Sequence, residues 1–270
     1  MRHILLTNDD GVESPGLAAL AAALEPLGRL SVIAPDRNRS GIGRGITING
    51  PLHVEEAVLV DGRPALATDG TPVDCVRFAA LGLFGEPPDV VVSGINLGMN
   101  LGDDVTYSGT VAAALEGVLL GVPSIAASQS PVARTTAGPI WDFRASADFV
   151  ARLVPMASDI DFPRHVVLSV NAPGLPPEGI RGARLTRLGR RIYDDQLILE
   201  AEHNGRRRYS IYGMNPSHHR EEGTDFAAVE AGELSVTPIH FDLTDIAEMS
   251  RLERLQLNDL LGAEAAPADR

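Results

Sequence analysis

The 270 residues, 44% of them hydrophobic and 22% charged, are enough to bury a core without disulfide bonds and exclude an intrinsically disordered chain. A single cysteine, Cys75, excludes an intrachain disulfide and a cysteine-based zinc site, and the absence of lysine excludes a Walker-type nucleotide triphosphatase and a Schiff-base enzyme. The formal charge of -13 disfavours a long nucleic acid as partner, and no apolar run is long enough to span a membrane, so we expect a cytoplasmic protein.

The first half of the chain alternates short apolar runs with helical patterns. Buried strands are predicted at 3–7, 30–35, 89–95, 123–129 and 165–173. Helices are predicted to begin after Ser14 and Thr71, at Ser108 and near Ala147, because capping residues or apolar residues at helical spacing occur there. Alternation of this kind predicts an α/β fold with a mainly parallel sheet flanked by helices, in which ligands bind beyond the carboxyl ends of the strands.

The pattern changes after about Gly174. Asn204-Gly205, flanked by alternating residues, predicts a β-hairpin. Further strands are predicted at 183–188 and 235–243, and an amphipathic helix at 249–262 with Leu252, Leu255 and Leu260 on one stripe. We therefore predict a catalytic core over 1–182 and a hairpin, strand and helix segment over 183–270, packed on the core as one domain.

This C-terminal segment follows a parallel sheet that the pattern predicts to be complete. A two-stranded ribbon is not stable alone and needs a surface to pack on. That surface is either the chain's own core or a partner subunit. We favour a partner, and hence a homodimer or homotetramer, because symmetric dimers are the commonest assembly.

The strongest chemical signal is the NDDG sequence that follows the first strand. Two adjacent carboxylates, Asp9 and Asp10, repel each other unless a positive charge lies beside them. A divalent cation such as Mg²⁺ suits them, because it prefers carboxylate and neutral oxygen ligands. The alternative is a solvated Asp-Asp turn that caps the next helix, and this motif alone leaves both possibilities open.

A second motif runs over 93–117 and follows the third predicted strand. Asn96 can offer a neutral oxygen ligand. Ser108-Gly109-Thr110 begins a helix, and free amides, hydroxyl groups and the helix dipole favour phosphate binding there. The alternative is an ordinary helix cap behind a flexible loop. We interpret Asp103 and Asp104 as solvated loop acids or as partners of the helix N-terminus.

A third motif, over 34–45, follows the second strand. Ser40 is a candidate oxygen ligand, and Arg37, Arg39 and Arg44 could bind anionic oxygens. The alternative is a mobile loop without a ligand. Because the three motifs all follow strand ends, they predict one site that combines carboxylates, a hydroxyl group, an amide and a phosphate-binding helix start.

Five segments resemble the SurE family, the survival protein E 5'/3'-nucleotidases. They occupy 4–17, 34–43, 67–76, 92–117 and 222–238, and include TNDDG, RNRSG, INLG and YSGT. The resemblance implies a Rossmann-like core and a C-terminal segment that takes part in dimer or tetramer formation. It also implies metal-dependent hydrolysis of nucleoside 5'- and 3'-monophosphates, and of short polyphosphate.

The resemblance also implies roles for individual residues. One divalent cation, Mg²⁺ or Mn²⁺, is expected on Asp9, Asp10, Ser40 and Asn96, of which Asp9, Asp10 and Asn96 are also the expected catalytic residues. The residues expected to bind phosphate or substrate are Asn8, Gly41, Ser108, Gly109 and Thr110. The role of the 193–223 region is left open.

Three alternatives compete with phosphomonoester hydrolysis. A receiver-like or dehalogenase-like phosphoacceptor also places paired acids after its first strand, but it needs a lysine that this chain lacks. A nucleoside N-glycosidase with bound Ca²⁺ would use more carboxylates than the two seen here, and a non-catalytic sensor would bind nucleotide or metal without turnover. We favour water over an Asp side chain as the nucleophile. With 4% aromatic residues, the sequence shows no aromatic clamp and predicts no base preference.

Overall fold

The structure, a computed structural model, describes residues 2–159, 165–211 and 217–257. Its strands are, in chain order, β1 (His3–Thr7), β2 (Arg29–Pro35), β3 (Val54–Val58), β4 (Pro64–Thr68), β5 (Val90–Leu97), β6 (Ser124–Gln129), β7 (Ala133–Thr135), β8 (Gly138–Ile140), β9 (Val166–Ala172), β10 (Ala183–Leu185), β11 (Arg191–Ile192), β12 (Ile198–His203), β13 (Arg206–Ser210), β14 (Ser217–His218) and β15 (Leu234–His240). Its α-helices are α1 (Pro15–Leu24), α2 (Pro72–Ala80), α3 (Gly109–Leu119), α4 (Arg144–Asp159), α5 (Asp225–Glu230) and α6 (Ile246–Leu252).

Nine strands form one sheet in the order β10-β15-β9-β6-β5-β1-β2-β4-β3. The central strands, from β9 to β4, are all parallel. Helices α1 and α4 pack on one face, and α2 and α3 pack on the other. The predicted Rossmann-like α/β fold is therefore confirmed, and each of the five predicted buried strands is present.

Strand β1 lies between β2 and β5, so the chain winds away from it in both directions. In open α/β sheets, such a reversal leaves a crevice at the carboxyl ends of the two central strands, and ligands bind there. The turn that follows β1 contains Asp9 and Asp10. The topology therefore places the NDDG motif at the position where this fold binds ligands.

The prediction that the parallel sheet is complete before residue 183 is wrong. Strand β15 pairs antiparallel with β9, and β10 pairs parallel with β15, so both extend the main sheet. At the other edge, the antiparallel pair β3–β4 was not predicted. The β3 side chains are exposed or half-exposed, because β3 is an edge strand, and such a strand lacks the continuous apolar run of a central one. The division of the chain at 182/183 stays a prediction.

Predictions that depend on residues close together in the sequence are confirmed. Thr71 and Asp74 form the predicted capping box at the start of α2, in which each side chain accepts a hydrogen bond from the other residue's backbone amide. Asn204 and Gly205 both have positive φ, as a two-residue hairpin turn requires, and join β12 to β13. Cys75 is fully buried in α2, and burial raises the pKa of its thiol to about 12, so it is a packed thiol as predicted.

Among the described residues, those up to His240 form one compact unit and those from Phe241 form a second. The second unit contains α6, whose first turn is capped by the side chain of Asp245. The helix begins and ends earlier than predicted, at Ile246 and Leu252, and a short 3-10 turn follows it. Leu260 lies outside the described residues. No α-helix in the described part of the chain is long and apolar enough to cross a membrane.

Candidate active site

The loop and strand ends around β1 bring the three sequence motifs together. Asp9 and Asp10 follow β1, and Asn96 is the penultimate residue of β5. Helix α3, which begins at Gly109, reaches Asp9 with its first residues, and the loop after β2 bonds to the backbone of Asp9. The predicted meeting of these motifs at one edge of the sheet is therefore what the structure shows.

Asn8 shapes the turn that carries the two acids. Its side-chain amide donates to the carbonyl oxygen of Gly11 at 3.0 Å, and its side-chain oxygen accepts from the amide of Gly11 at 3.2 Å. Gly11 has a φ of +101°, which glycine adopts without strain. Because Gly11 uses both polar atoms of the Asn8 side chain, the structure gives Asn8 a structural role, and its binding of substrate stays a prediction.

Asp9 is a buried carboxyl group held by the N-terminus of α3. Its side chain accepts a hydrogen bond from the hydroxyl of Thr110, and only 3% of the residue is exposed. Burial raises the pKa of Asp9, while the hydrogen bonds from Thr110 and from the backbone amides of Asp9, Thr110 and Gly109 lower it in part. The alternative of a solvated Asp-Asp turn is therefore wrong for Asp9.

Gly109 allows the carboxyl group to lie this close to the helix. A Cβ atom at position 109 would lie 2.7 Å from Cβ of Asp9 and 2.8 Å from its Oδ2, distances that real Cβ atoms do not show. Position 109, between Ser108 and Thr110, therefore requires glycine for a steric reason that the sequence alone did not reveal.

Asp10 lies beside Asp9 and is less buried. The amide of Leu97, the last residue of β5, donates to its Oδ2 at 2.8 Å, and Asn38 donates to its Oδ1 at 3.4 Å. Burial and the neighbouring charge of Asp9 raise the pKa of Asp10 to about 6. A cation at this position would relieve both the desolvation and the repulsion.

The donor set fits a hard divalent cation. The amide oxygen of Asn96 can supply a third oxygen ligand beside the two carboxylates. The side-chain nitrogen of Asn96 donates to the carbonyl oxygen of Gly98 at 2.8 Å. Oxygen ligands of this kind suit Mg²⁺ and Mn²⁺. Within residues 2–159, 165–211 and 217–257, no group of three or more His, Cys, Asp and Glu side chains could hold a metal. A site here must therefore combine two acids with neutral oxygens, as the sequence predicts.

Ser40 lies in an exposed loop that is tied to both aspartates. Arg39 donates its amide to the carbonyl oxygen of Asp9 at 2.7 Å. Asn38 accepts from the amide of Ser40 at 2.7 Å while its nitrogen faces Asp10. Sequence analysis missed Asn38, although an Asn that bonds the amide two residues later is a common turn-forming signal.

The remaining predicted phosphate-binding residues have different surroundings. Ser108 caps α3, because its hydroxyl accepts from the amide of Val111 at 3.1 Å. Thr110 bonds Asp9, as described above. Gly41 is exposed, has a φ of +76°, and has open space where a Cβ would lie. Phosphate binding by these residues stays a prediction.

Arg44, which the sequence suggests for anion binding, lies against a carboxylate of the protein itself. It donates to Glu116 of α3 at 2.9 Å, and Arg77 of α2 lies 2.7 Å from the other oxygen of the same carboxylate. Glu116 is only 1% exposed, so it needs positive partners. This contact fastens the loop that contains Ser40 to the helix that contacts Asp9.

Arg44→Gln is therefore expected to weaken Mn²⁺ binding by about 10-fold, the usual scale for residues that orient metal ligands. Arg77→Gln is the matched control, because it removes the other arginine from the same carboxylate but lies on α2, outside the loop. Calorimetric titration with Mn²⁺ and chemical unfolding measure both variants. Equal losses of Mn²⁺ affinity in the two variants would contradict the positioning role of Arg44.

Asp103 and Asp104 lie in the first turn of a 3-10 helix at 102–106, which was not predicted, and both bind a distant segment. Asp103 accepts from the backbone amide of Arg191 at 2.7 Å. Asp104 accepts from the Arg191 guanidinium at 2.9 Å and from the hydroxyl of Tyr193 at 2.8 Å. Sequence analysis could not pair them, because these partners lie 87 to 89 residues away.

Known proteins resemble this chain over nearly its whole length. Residues 4–195 match the family described as Survival protein SurE. The 5'-nucleotidase SurE of Rubrobacter xylanophilus is 53% identical over 263 residues, covering 96% of this chain and 99% of the relative. The 5'-nucleotidase SurE of Chloroflexus aggregans is 50% identical over 252 residues, covering 93% and 98%. The crystal structure of the SurE protein from Aquifex aeolicus has a TM-score of 0.78 at 40% identity, covering 94% and 99%.

Proposed function

The chain belongs to the SurE family, and on that premise we propose that it is a 5'-nucleotidase, a phosphoric monoester hydrolase that converts nucleoside monophosphates to nucleoside and phosphate. The observation that carries this proposal is the pair Asp9 and Asp10 at the reversal of the strand order, beside the N-terminus of α3. Two carboxylates repel a negatively charged phosphoryl group, so this site can bind one only when a cation lies between them.

We assign one divalent cation, Mg²⁺ or Mn²⁺, to Asp9, Asp10, Ser40 and Asn96. When bound, the cation supplies positive charge for the phosphoryl oxygens. The support for this assignment is the fit of the donor set, together with the burial of Asp9 directly beside a second carboxyl group, that of Asp10.

The chain's own residues orient the reacting groups. The hydroxyl of Thr110 and the amide of Leu97 each fix one carboxylate. The N-terminus of α3, which Ser108 caps, directs the positive end of the helix dipole towards the phosphoryl group. We assign the attack on phosphorus to a water molecule that the carboxylate pair orients in line with the leaving nucleoside oxygen.

The proposal includes nucleoside 3'-monophosphates and short polyphosphate as further substrates. It also includes action in the cytoplasm, which the cysteine count supports. A long nucleic acid is not a proposed partner, because the chain carries a formal charge of -13.

Product analysis separates this function from its rivals. Incubation with a 5'-nucleoside monophosphate and Mn²⁺ is expected to release phosphate and intact nucleoside. A bis-aryl phosphodiester is expected to react much more slowly, since the site suits a terminal phosphoryl group. Release of free base would indicate an N-glycosidase instead, and binding without turnover would indicate a sensor.

We also propose that the chain forms a homodimer or homotetramer through its C-terminal third. The arm formed by β12 and β13 is exposed along almost its full length, with charged side chains towards its turn and apolar side chains at its base. The exposed large apolar residues of the arm and its ends are Leu197, Ile198, Leu199, Tyr209 and Ile211. Such a surface is typical of an interface.

Light scattering at micromolar concentration is expected to give a mass at least twice 28.6 kDa. The double variant Leu197→Ser and Leu199→Ser should lower that mass, because it removes two exposed apolar side chains without changing the buried core. A monomeric wild-type chain across the concentration range would contradict the oligomer.

A further inference from the structure

The connection between β5 and α3 links two parts of the proposed site. Asn96, a proposed cation ligand, lies at its start, and Ser108, a proposed phosphate-binding residue, lies at its end. Between them the chain forms the short 3-10 helix at 102–106. A shift of this connection would change the spacing between the cation ligand and the start of α3, so the contacts that hold the connection bear on the reaction.

Asp225, the first residue of α5, holds the middle of this connection. The residue is fully buried, and its carboxyl group accepts hydrogen bonds from three backbone amides. The amide of Gly102 donates to Oδ2 at 2.7 Å, and the amide of Gly189 donates to Oδ1 at 2.9 Å. The amide of Phe226 donates to the same Oδ1 at 2.9 Å. One side chain thus joins α5 to segments that lie 123 and 36 residues away in the sequence.

The packing around Asp225 leaves the connection little room to move. Gly102 has a φ of +53°, and a Cβ atom there would lie 2.7 Å from the carbonyl oxygen of Gly189 and 2.7 Å from Cε2 of Phe226. A Cβ atom on Gly189 would lie 2.5 Å from Cδ2 of Phe226. Both glycines therefore pack directly against the Phe226 ring, and Phe226 itself is buried.

Other residues of the later half of the chain hold the same connection. Asn171 of β9 accepts from the amide of Asn100 at 2.8 Å and donates to its carbonyl oxygen at 3.1 Å. The guanidinium of Arg191, which bonds Asp104, lies 4.8 Å from the centroid of the Phe226 ring. The chain after residue 170 therefore fixes a segment of the site, although every proposed ligand of the site precedes it.

Building on the proposed nucleotidase function, we propose that Asp225 is a positioning residue of the reaction, whose hydrogen bond to Gly102 fixes the spacing between Asn96 and Ser108. A carboxylate only accepts hydrogen bonds, so it can serve all three amides. An asparagine would turn its NH₂ group towards one of these donors and leave that amide without its acceptor. The role therefore requires the carboxylate, and a side chain of the same shape does not replace it.

Asp225→Asn tests this assignment with little change in side-chain shape. We expect kcat for a 5'-nucleoside monophosphate at saturating Mn²⁺ to fall about 10-fold, the scale for residues that orient metal ligands. KM should change much less, because displaced groups still bind the substrate but align it poorly. Mn²⁺ affinity, measured by calorimetric titration, should also fall about 10-fold.

Thr224→Ala is the matched control. Thr224 is as buried as Asp225 and caps the same helix, but its hydroxyl bonds Glu221 and Ala227 instead of the connection. The variant should therefore lower the midpoint of chemical unfolding and keep wild-type kcat and Mn²⁺ affinity. An equal loss of kcat in Thr224→Ala and Asp225→Asn would overturn the assignment, because loosening of α5 would then explain both.

Gly102→Ala approaches the same contact from the connection. Its added methyl group would overlap Gly189 and Phe226, so the connection must move while the carboxyl group stays unchanged. We expect kcat to fall about 10-fold here too. This variant decides the matter if Asp225→Asn does not fold. Wild-type kcat in a folded Asp225→Asn, or in Gly102→Ala in its place, would overturn the positioning role.

Failure of the proposed function gives a different result. A wild-type protein that binds Mn²⁺ but releases no phosphate would overturn the nucleotidase proposal. The positioning role then depends on Mn²⁺ titration of the wild type, Asp225→Asn and Thr224→Ala. Weaker binding in Asp225→Asn alone would support the role, and equal affinities in all three proteins would overturn it.

Discussion

Asp9→Asn is expected to lower kcat for a 5'-nucleoside monophosphate at least ~100-fold, the scale of losing one electrostatic element of an active site. The substitution removes a negative charge from the proposed cation site but keeps the shape of the side chain. Because burial already disfavours the charged form of Asp9, the neutral amide is not expected to lower the free energy of unfolding. Steady-state kinetics and chemical unfolding measure the two effects separately.

Asp61→Asn is the control for this variant. Asp61 lies in the turn between β3 and β4, where it pairs with Arg63, and has no part in the proposed site. It should keep wild-type kcat. Activity of Asp9→Asn within a few-fold of wild type at saturating Mn²⁺ would contradict a catalytic role for Asp9.

Gly109→Ala is expected to have an effect of similar size without changing any charge. The added methyl group would overlap Asp9, whose Cβ and Oδ2 lie within 2.8 Å of its position. Asp9 must then move, and displacement of a catalytic group by about 1 Å lowers the rate on the order of 100-fold. We expect kcat and Mn²⁺ affinity to fall together, as measured by phosphate release and calorimetric titration.

Gly117→Ala provides the matched control in the same helix. Its added methyl group would overlap Ser124 and Val91, with Oγ of Ser124 at 2.3 Å, so it also crowds a packed interface. Overpacking of this kind lowers stability by roughly 1–3 kcal/mol. Gly117→Ala should therefore lose stability but keep its Mn²⁺ affinity. Loss of Mn²⁺ affinity in both variants would show that general destabilisation explains the result for Gly109.

The elements that could be predicted from the sequence are those with a local signal. Strands β1 and β5 are buried on both faces, so they read as continuous apolar runs. The capping box at Thr71 and the turn at Asn204 involve residues within three positions of each other. Pairing between distant segments leaves no such signal, and for this reason β15 joined the main sheet against expectation.

In the candidate site, too, some residues could be predicted from the sequence and some contacts could not. Asp9, Asp10 and Asn96 could be named because residues at the carboxyl ends of adjacent parallel strands lie together, and the structure brings them together. Their binding of a cation stays a prediction. The contact of Asn38 with Asp10 and the steric role of Gly109 could not be inferred, because both depend on a segment that is distant in the sequence.

The aromatic side chains near the site illustrate a further limit of sequence analysis. A composition of 4% aromatic residues gave no reason to expect an aromatic clamp. Tyr107 and Tyr193 are 86 positions apart, yet they line one cavity, and Asp104 accepts a hydrogen bond from the second of them. A low overall count therefore says little about where the few aromatic residues meet.

The central claim is that Asp9 and Asp10 hold a divalent cation with which the chain hydrolyses a nucleoside monophosphate. Phosphate release from a 5'-nucleoside monophosphate, measured after extensive dialysis against chelator and during back-titration with Mn²⁺, tests it most directly. We predict no turnover in chelator and recovery that saturates with one Mn²⁺ per chain. Full activity in excess chelator would contradict the account.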